Sequence, residues 1–394
     1  MQPKKIKKQK QPMSDIIKNP FIIVGDIPEP YFCDREAETQ RIIRTITNEG
    51  NMVLMSPRRM GKSRLVKHVF KQTQIAEHYQ TFYIDLLHTS SIREFAYTFG
   101  RTVFDQLKSR SEKMLQSLTL ALKSIAGTFG FDPLTGLPTF TLEMGRIQSP
   151  EYTIQEITTW LEECDTPCIV CFDEFQRISK YPDNKQGQVE ALLRGIIQHL
   201  RNVNFIFAGS EQHLLSEMFF SSAKPFYNSA DQLNLRPLDM NVYTEFVESW
   251  MERYGKSIDT DALKFYYTKF EGTTYCLQKL MHEAFIDCDA GSTCSIALLD
   301  RTYANMLEEA HENISKLLGT LTEQQKNVLY AIAREGKAER VLGALFIKKH
   351  ALVSSSSVQS ALKKLDEMEL ITVNRNTDSV SEFMIRLYIT DYTE

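Results

Sequence analysis

Asn51-Met52-Val53-Leu54-Met55-Ser56-Pro57-Arg58-Arg59-Met60-Gly61-Lys62-Ser63-Arg64-Leu65-Val66 decides how the rest of the chain is read. Its first five residues make an apolar run of strand length, and from Arg64 an amphipathic helix begins. Backbone N–H groups in a turn that enters a helix N-terminus form an anion cradle. Ser56, Pro57, Arg58, Arg59, Met60, Gly61, Lys62, Ser63 and Arg64 are therefore a candidate phosphate loop. In it Lys62 would reach the β- and γ-phosphates, and the Ser63 hydroxyl would bind Mg²⁺. Ser56 stands where a first glycine is usual, but Gly61, needed for close approach before the lysine, is kept. The plain alternative is a basic turn without ligand; strand, turn and helix in register argue against it.

About a hundred residues on, Cys168-Ile169-Val170-Cys171-Phe172 is an apolar strand that delivers Asp173 and Glu174 at its C-terminal end. Phosphoryl transfer needs a carboxylate to hold Mg²⁺ and a group to orient or deprotonate the attacking water. Asp173 suits the first task and Glu174 the second. The next apolar run ends at Ala208-Gly209-Ser210, where Ser210 either senses the γ-phosphate or caps the helix that follows. Asn184-Lys185-Gln186-Gly187 lacks the aspartate of a guanine-reading box, which leaves ATP as the expected nucleotide by prevalence.

Runs at 51–55, 81–86, 168–172, 203–208 and 231–235, separated by helical stretches, predict a parallel sheet covered on both faces. The interval from Gly127 to Pro150, with its Gly-Phe-Asp-Pro and Gly-Leu-Pro turns, is expected to be an insertion. Beyond Pro237 helical periodicity takes over. After Leu321, three helices (324–335, 342–350 and one capped by Ser354 or Ser355) precede two apolar runs, 370–373 and 383–387, around a polar turn at 374–381. That order predicts a winged helix with a two-stranded ribbon. Its third helix would present Ser356, Gln359, Ser360 and Lys363 to DNA, with Lys348, Lys349, Lys364 and Arg375 near phosphates. Asp366, Glu367 and Glu369 dilute that positive patch, so packing on the core or on a partner stands as the alternative.

Composition bounds these readings. The 394 residues are 42% hydrophobic and 24% charged, enough for two or three ordinary domains. A net charge of −4 gives no whole-protein field for nucleic acid or membrane. Lys4, Lys5, Lys7, Lys8 and Lys10 precede the first acid, Asp15, and suggest a solvated tail. No run reaches the roughly 18 apolar residues of a membrane span, and with the seven cysteines read as free thiols the expected location is cytoplasmic. Cys168 and Cys171, three apart on a strand, point to opposite faces and cannot share a metal.

With these residues assembled, the chain resembles the archaeal-type ATPase family within the AAA and STAND-like P-loop ATPases, in particular its bacterial members carrying Ser-Pro-Arg-Arg-Met-Gly-Lys-Ser. The resemblance covers nearly everything after the basic tail. Phe32-Cys33-Asp34-Arg35-Glu36 is similar to the family's Phe-Val-Gly-Arg-Glu motif, which implies that Phe32 and Arg35 lie near adenine. Phe172 to Gln176 resembles its acidic motif, Phe207 to Ser210 its sensor segment, and Leu235-Arg236-Pro237-Leu238 its boundary into a lid. The implied fold is an α/β P-loop NTPase of AAA type: a basic tail over 1–18, a parallel-sheet core over 19–235 with an insertion near 127–150, a helical lid over 236–318 and a winged helix over 319–394. The implied activity is Mg-dependent ATP hydrolysis driving a conformational switch. A nucleotide-gated DNA-binding or protein-interaction module of mobile-element or defence type, with little turnover, is the alternative, and a protein partner or homo-oligomer fits either. Two departures mark this chain: Pro225 to Ser229 lacks the family's arginine, and Glu271-Gly272-Thr273-Thr274 replaces its Gly-Asn-Pro. Arg58, Arg59 or Arg236 would then serve for the missing arginine.

Overall fold

The computed structural model describes residues 19–108, 111–123, 129–131, 138–140, 144, 147–373 and 377–392. The lysine-rich tail lies outside them, as do Arg375 and most of the expected insertion. Strands β1 (Met52–Met55), β2 (Gln80–Asp85), β3 (Phe129–Phe131), β4 (Pro138–Phe140), β5 (Cys168–Asp173), β6 (Val203–Gly209) and β7 (Asp231–Asn234) come first. Of these, β3 and β4 pair with each other, antiparallel, inside the expected insertion. The other five form one parallel sheet in the order β2-β5-β6-β1-β7. These five lie within a residue or so of the apolar runs that predict them.

Because successive side chains on a strand alternate faces, each strand feeds two cores. Val53, Met55, Val170, Phe172, Phe205 and Phe207 pack on one side of the sheet with the helices Ile92–Lys108 and Pro150–Glu162. Met52, Leu54, Ile169, Cys171, Ile206 and Ala208 pack on the other with helices Glu36–Thr47 and Lys62–Lys71. Cys168 and Cys171 fall in different cores, as a three-residue offset requires. All seven cysteines are free thiols.

One aromatic cluster bears directly on the site. Phe175 is fully buried against Phe207 and Phe226, with ring centroids 4.6 and 5.5 Å away. A buried Phe contributes about 1.5–3 kcal/mol, so this anchor fixes the turn that leaves β5 immediately after Glu174. Gly209 packs directly beside it, so a Cβ there would press on the Gln176 amide and on Leu215.

Helices Met240–Arg253, Thr260–Lys269 and Thr274–Asp287 follow, with a small parallel pair β8 (Ser257–Ile258) and β9 (Thr293–Cys294). They share an apolar core with Leu299, Tyr303 and Met306 of the long helix Ile296–Gly319. The far end of the same helix, Ile314 and Leu318, packs into a separate terminal core. That core holds helices Glu323–Glu335, Ala344–Lys349 and Ser355–Glu367, the last capped by Ser354, whose Oγ accepts from Ser357 N.

The ribbon differs from the sequence expectation. It has three strands, β10 (Ala338–Glu339), β11 (Ile371–Val373) and β12 (Thr377–Val380), in the order β10-β12-β11. The 374–381 segment, read as a turn, therefore supplies a strand, and 383–387, read as a strand, is the start of helix Phe383–Asp391. Short apolar runs do not distinguish strand from helix by periodicity. Here tertiary packing decides: Met384 and Leu387 enter the core of the preceding helices, while Ile385, Tyr388 and Ile389 enter the terminal core. A helix can present both faces at those spacings. Together with Ile296–Gly319, it joins the two cores into one body.

Candidate functional site

The loop over 56–63, Asp173, Glu174 and Ser210 meet at the C-terminal edge of the sheet. β1 runs into Ser56, fully buried, and the loop turns through Arg59 and Gly61 at φ values of 64° and 88° before helix Lys62–Lys71 begins. The left-handed region favours glycine, which explains Gly61. β6 lies between β1 and β5, so Ser210 stands between the loop and the acidic pair.

Lys62 Nζ lies 3.1 Å from Asp173 Oδ1 and 2.9 Å from Glu174 Oε1. Burial alone would lower its pKa, but the two carboxylates outweigh it and raise it. Ser63 Oγ donates to Asp173 Oδ2 at 2.7 Å, and the Tyr83 hydroxyl donates to the same oxygen. Glu174 sits at φ 54° and is held on all sides. Its Oε2 accepts from Ser210 N at 3.2 Å, Ser210 Oγ at 2.8 Å and Gln176 Nε2 at 2.6 Å. Burial would push this carboxyl up, yet the ammonium of Lys62 and these donors hold it down at about 2. Ser210 thus binds Glu174 and makes no cap hydrogen bond to helix Gln212–Phe220. Asn184 is likewise structural: it accepts from Val189 N and donates to Ile178 O.

A cavity of about 380 Å³ opens over these groups, lined by residues 56–64 with Glu174, Ser210, Thr274, Tyr275, Gln278 and Glu382. The helix Thr274–Asp287 grips the loop from above, Tyr275 N donating to Arg59 O at 3.1 Å and Thr274 Oγ1 to Met60 O at 3.3 Å. The loop arginines are engaged by the terminal module. Arg58 pairs with Glu369, which Arg177 also binds at 2.6 Å, and Arg59 pairs with Glu382 while lying 4.2 Å over the Tyr275 ring. Arg64 is committed elsewhere, donating to Ile22 O and Ile23 O at 2.9 and 2.6 Å. Phe32 stacks on His68, centroids 3.8 Å apart, and buried Arg35 pairs with Glu38 at 2.9 Å. Arg236 is exposed.

Ser63 Oγ and Asp173 are hard oxygen donors side by side, the kind of set magnesium accepts when substrate phosphates and waters complete its shell. Among the described residues no group of three or more His, Cys, Asp or Glu side chains could hold a metal ion. On the terminal module, Ser356, Gln359, Ser360, Lys348 and Lys363 are exposed, whereas Lys349 pairs with Glu335 and Lys364 with Glu367. Sequence reading misses Tyr83, the role of Gln176, and the partners of Arg58 and Arg59. Only Gln176, inside the acidic motif, carries a local signal. Among the described residues no helix is long and apolar enough to cross a membrane.

A family model described as an ATPase domain predominantly from Archaea matches residues 32–280, and one described as a probable winged helix domain matches residues 312–391. Among solved structures, a Walker-type ATPase of Pyrococcus abyssi aligns over 94% of this chain and 99% of its own, at 18% identity and a TM-score of 0.64. The Aeropyrum pernix ORC2 protein, described in ADPNP and ADP complexes, aligns over 95% and 98% at 13% identity and 0.53. The Aeropyrum pernix ORC1 protein in complex with DNA aligns over 96% and 98% at 14% identity and 0.50. At such identities the likeness is one of fold. A comparison with curated proteins finds no match.

Proposed function

The chain belongs to the family of ATPase domains found predominantly in Archaea, and from that premise we propose that it hydrolyses Mg-ATP and uses the nucleotide to switch the position of its winged helix. The observation that carries this reading is the convergence of Lys62, Ser63, Asp173 and Glu174, of which Lys62, Ser63 and Glu174 line the cavity and Asp173 lies against the first two. In this reading the main-chain amides of residues 58–63 and the Lys62 ammonium bind the phosphates, and Ser63 and Asp173 hold magnesium. Bound there, magnesium would neutralise charge developing on the phosphate oxygens.

Glu174 takes the proton of the attacking water, and its setting gates that task. A carboxylate held near 2 by Lys62 is a poor base. A triphosphate that draws the ammonium onto its own oxygens releases Glu174, whose basicity then rises, while Ser210 and Gln176 keep it aimed. Base catalysis is thereby tied to occupancy. Arg58 or Arg59 provides the cationic charge that the missing arginine of Pro225 to Ser229 would have supplied, once free of Glu369 and Glu382. The switch follows from the same exchange, because the terminal module touches the loop through those carboxylates. The division proposed is a core over 19–235, a lid over 236–318 and a winged helix over 319–394; the sheet, the lid helices and the terminal helices each have apolar cores of their own, and helices Ile296–Gly319 and Phe383–Asp391 link the last two. The STAND-like assignment rests on this coupling.

Phosphate release from Mg-ATP by the wild-type chain and by Glu174→Gln tests the proposal. A rate well above background that falls by about 10²-fold or more in the variant is expected; equal rates would remove Glu174 from the role. A second reading, nucleotide-gated DNA binding with little turnover, is favoured by the exposed Ser356, Gln359, Ser360 and Lys363 on one helix face. A DNA titration at several salt concentrations, with and without ATP, separates the two, since binding insensitive to nucleotide removes the gate.

A further inference from the structure

Two exposed apolar patches on this chain carry opposite charge. The first is a shallow cavity of about 410 Å³ beside helices Thr260–Lys269 and Ile296–Gly319, lined by Asp259, Asp261, Ala262, Phe265, Ile296 and Asp300. Phe265 is 55% exposed in it, and Ile296 is exposed as well. Half of the lining residues are aspartates. Asp259 accepts from Asp261 N and Ala262 N, and Asp300 accepts from the Tyr266 hydroxyl at 2.6 Å. Those bonds hold the carboxylates in place and leave them their charge.

The second patch is a corner of the winged helix. Leu345, on helix Ala344–Lys349, is 87% exposed, Val353 in the loop after that helix is 83% exposed, and Leu342 just before it is exposed too. Ser355 Oγ donates to Leu342 O at 3.3 Å, which returns the chain next to Val353 to the start of the helix. The surroundings are basic: residues 334–349 hold five cations against two acids, and Arg340 and Lys348 are exposed. Clustered aliphatic side chains left in water mark a surface that a partner covers. Interfaces with DNA are more polar than those between proteins, so Leu345 and Val353 fit a protein partner.

Neither patch covers the other within one chain, since both are exposed. Ile296 opens a helix of 24 residues, about 36 Å long, whose far end enters the core of the winged helix through Ile314 and Leu318. Pairing like with like would set aspartates against aspartates, or cations against cations. Pairing the two unlike patches matches apolar surface to apolar surface and positive to negative.

We infer that the Leu345 corner of one copy docks in the Phe265 cavity of a second copy. Such a contact is heterologous: each copy offers one patch to either neighbour, so association runs past the dimer and stops only where the rotation closes a ring. The apolar side chains supply the buried area, while the opposed charges set register and speed encounter. The contact involves neither the phosphate loop nor the acidic pair, so it goes beyond the ATPase reading and stands or falls apart from it.

Sedimentation of the full chain without nucleotide tests this. Small specific interfaces are weak, so wild type is expected to grow beyond the mass of a dimer between about 1 and 100 µM, and to do so less at high salt, which screens the charges. Phe265→Ser and Leu345→Asp are each expected to stay monomeric where wild type associates, because each removes one half of every contact. Mixed in equal amounts, the two variants keep one intact pair of patches and are expected to form a dimer and nothing larger. A wild type that is monomeric throughout, association that survives either variant alone, or a mixture that stays monomeric overturns the inference. Both positions are on the surface; should circular dichroism show that either variant misfolds, Asp261→Lys and Lys348→Glu repeat the scheme through charge, and association unchanged by both overturns it equally.

Discussion

Arg58 of the phosphate loop and Glu369 of the terminal module form an ion pair across 311 positions of sequence, and Arg177 holds the same carboxylate from the core. Arg59 and Glu382 repeat the arrangement on the other side of the loop. The side chains of these pairs keep between a fifth and two fifths of their exposure, and ion pairs so placed contribute about 0–1 kcal/mol each. A triphosphate competing for the same arginines has little to displace. The contact suits a reversible brake better than a permanent joint.

Glu369→Gln combined with Glu382→Gln is therefore expected to tighten ATP binding about three- to tenfold, and to raise hydrogen exchange in 371–373 and 377–380 without nucleotide. High salt should likewise raise exchange in those segments of the nucleotide-free wild type, since it screens the same pairs. Unchanged affinity and exchange in the double variant would show that these carboxylates do not restrain the module.

Lys62→Met should cost both binding and stability. The ammonium is buried between Asp173 and Glu174, and removing one partner of a buried ionic cluster leaves charge uncompensated, typically at about 3–5 kcal/mol. Urea unfolding of the nucleotide-free chain measures the loss. A variant as stable as wild type would mean that the acids relax or protonate freely, against the tight hydrogen-bonding around Glu174.

How much of this is legible in the sequence depends on the range of each interaction. Strands β1 and β5 and the loop between Met55 and Lys62 are readable because their apolar runs and turn chemistry are local. The meeting of Lys62 with Asp173 and Glu174 is readable too, since a parallel sheet brings strand ends to one edge. Phe383 to Leu387 is not: a five-residue apolar run carries no period of its own, and two cores on opposite sides make it a helix. Nothing near Glu369 marks it as the partner of Arg58. In sequence it reads only as an acid diluting a basic patch, because ion pairs between distant elements follow from docking rather than from pattern.

Tyr83 contributes through Asp173. Its hydroxyl and that of Ser63 donate to the same Asp173 oxygen, so if Ser63 turned to a metal, as proposed, Tyr83 would remain to orient the carboxylate. Burial first, then Asp173, raises the Tyr83 pKa and keeps it a donor. Tyr83→Phe should weaken Mn²⁺ affinity in the ADP complex by about three- to tenfold while leaving metal-free ADP binding unaltered. Paramagnetic resonance of bound Mn²⁺ reports the first quantity and calorimetry in chelator the second. Equal weakening of both would reduce Tyr83 to a packing role.

The acid behaviour of Glu174 ties stability to mechanism. Its folded-state pKa is lowered from 4.5 to about 2, so the stability it contributes is present above about 4.5 and drains away as pH falls toward 2. Glu174→Gln should flatten the unfolding free energy across that window, and a parallel acid limb in both proteins would assign the sensitivity to other carboxylates. In the proposed cycle the same group would report where Lys62 is. The acid limb of kcat/KM reflects the free enzyme and that of kcat the substrate complex. If the triphosphate takes the ammonium from Glu174, the carboxylate loses its strongest stabiliser, and the kcat limb should lie at higher pH than the kcat/KM limb. Limbs that coincide would mean that Lys62 stays on Glu174 throughout the cycle, and that something other than this exchange arms the base.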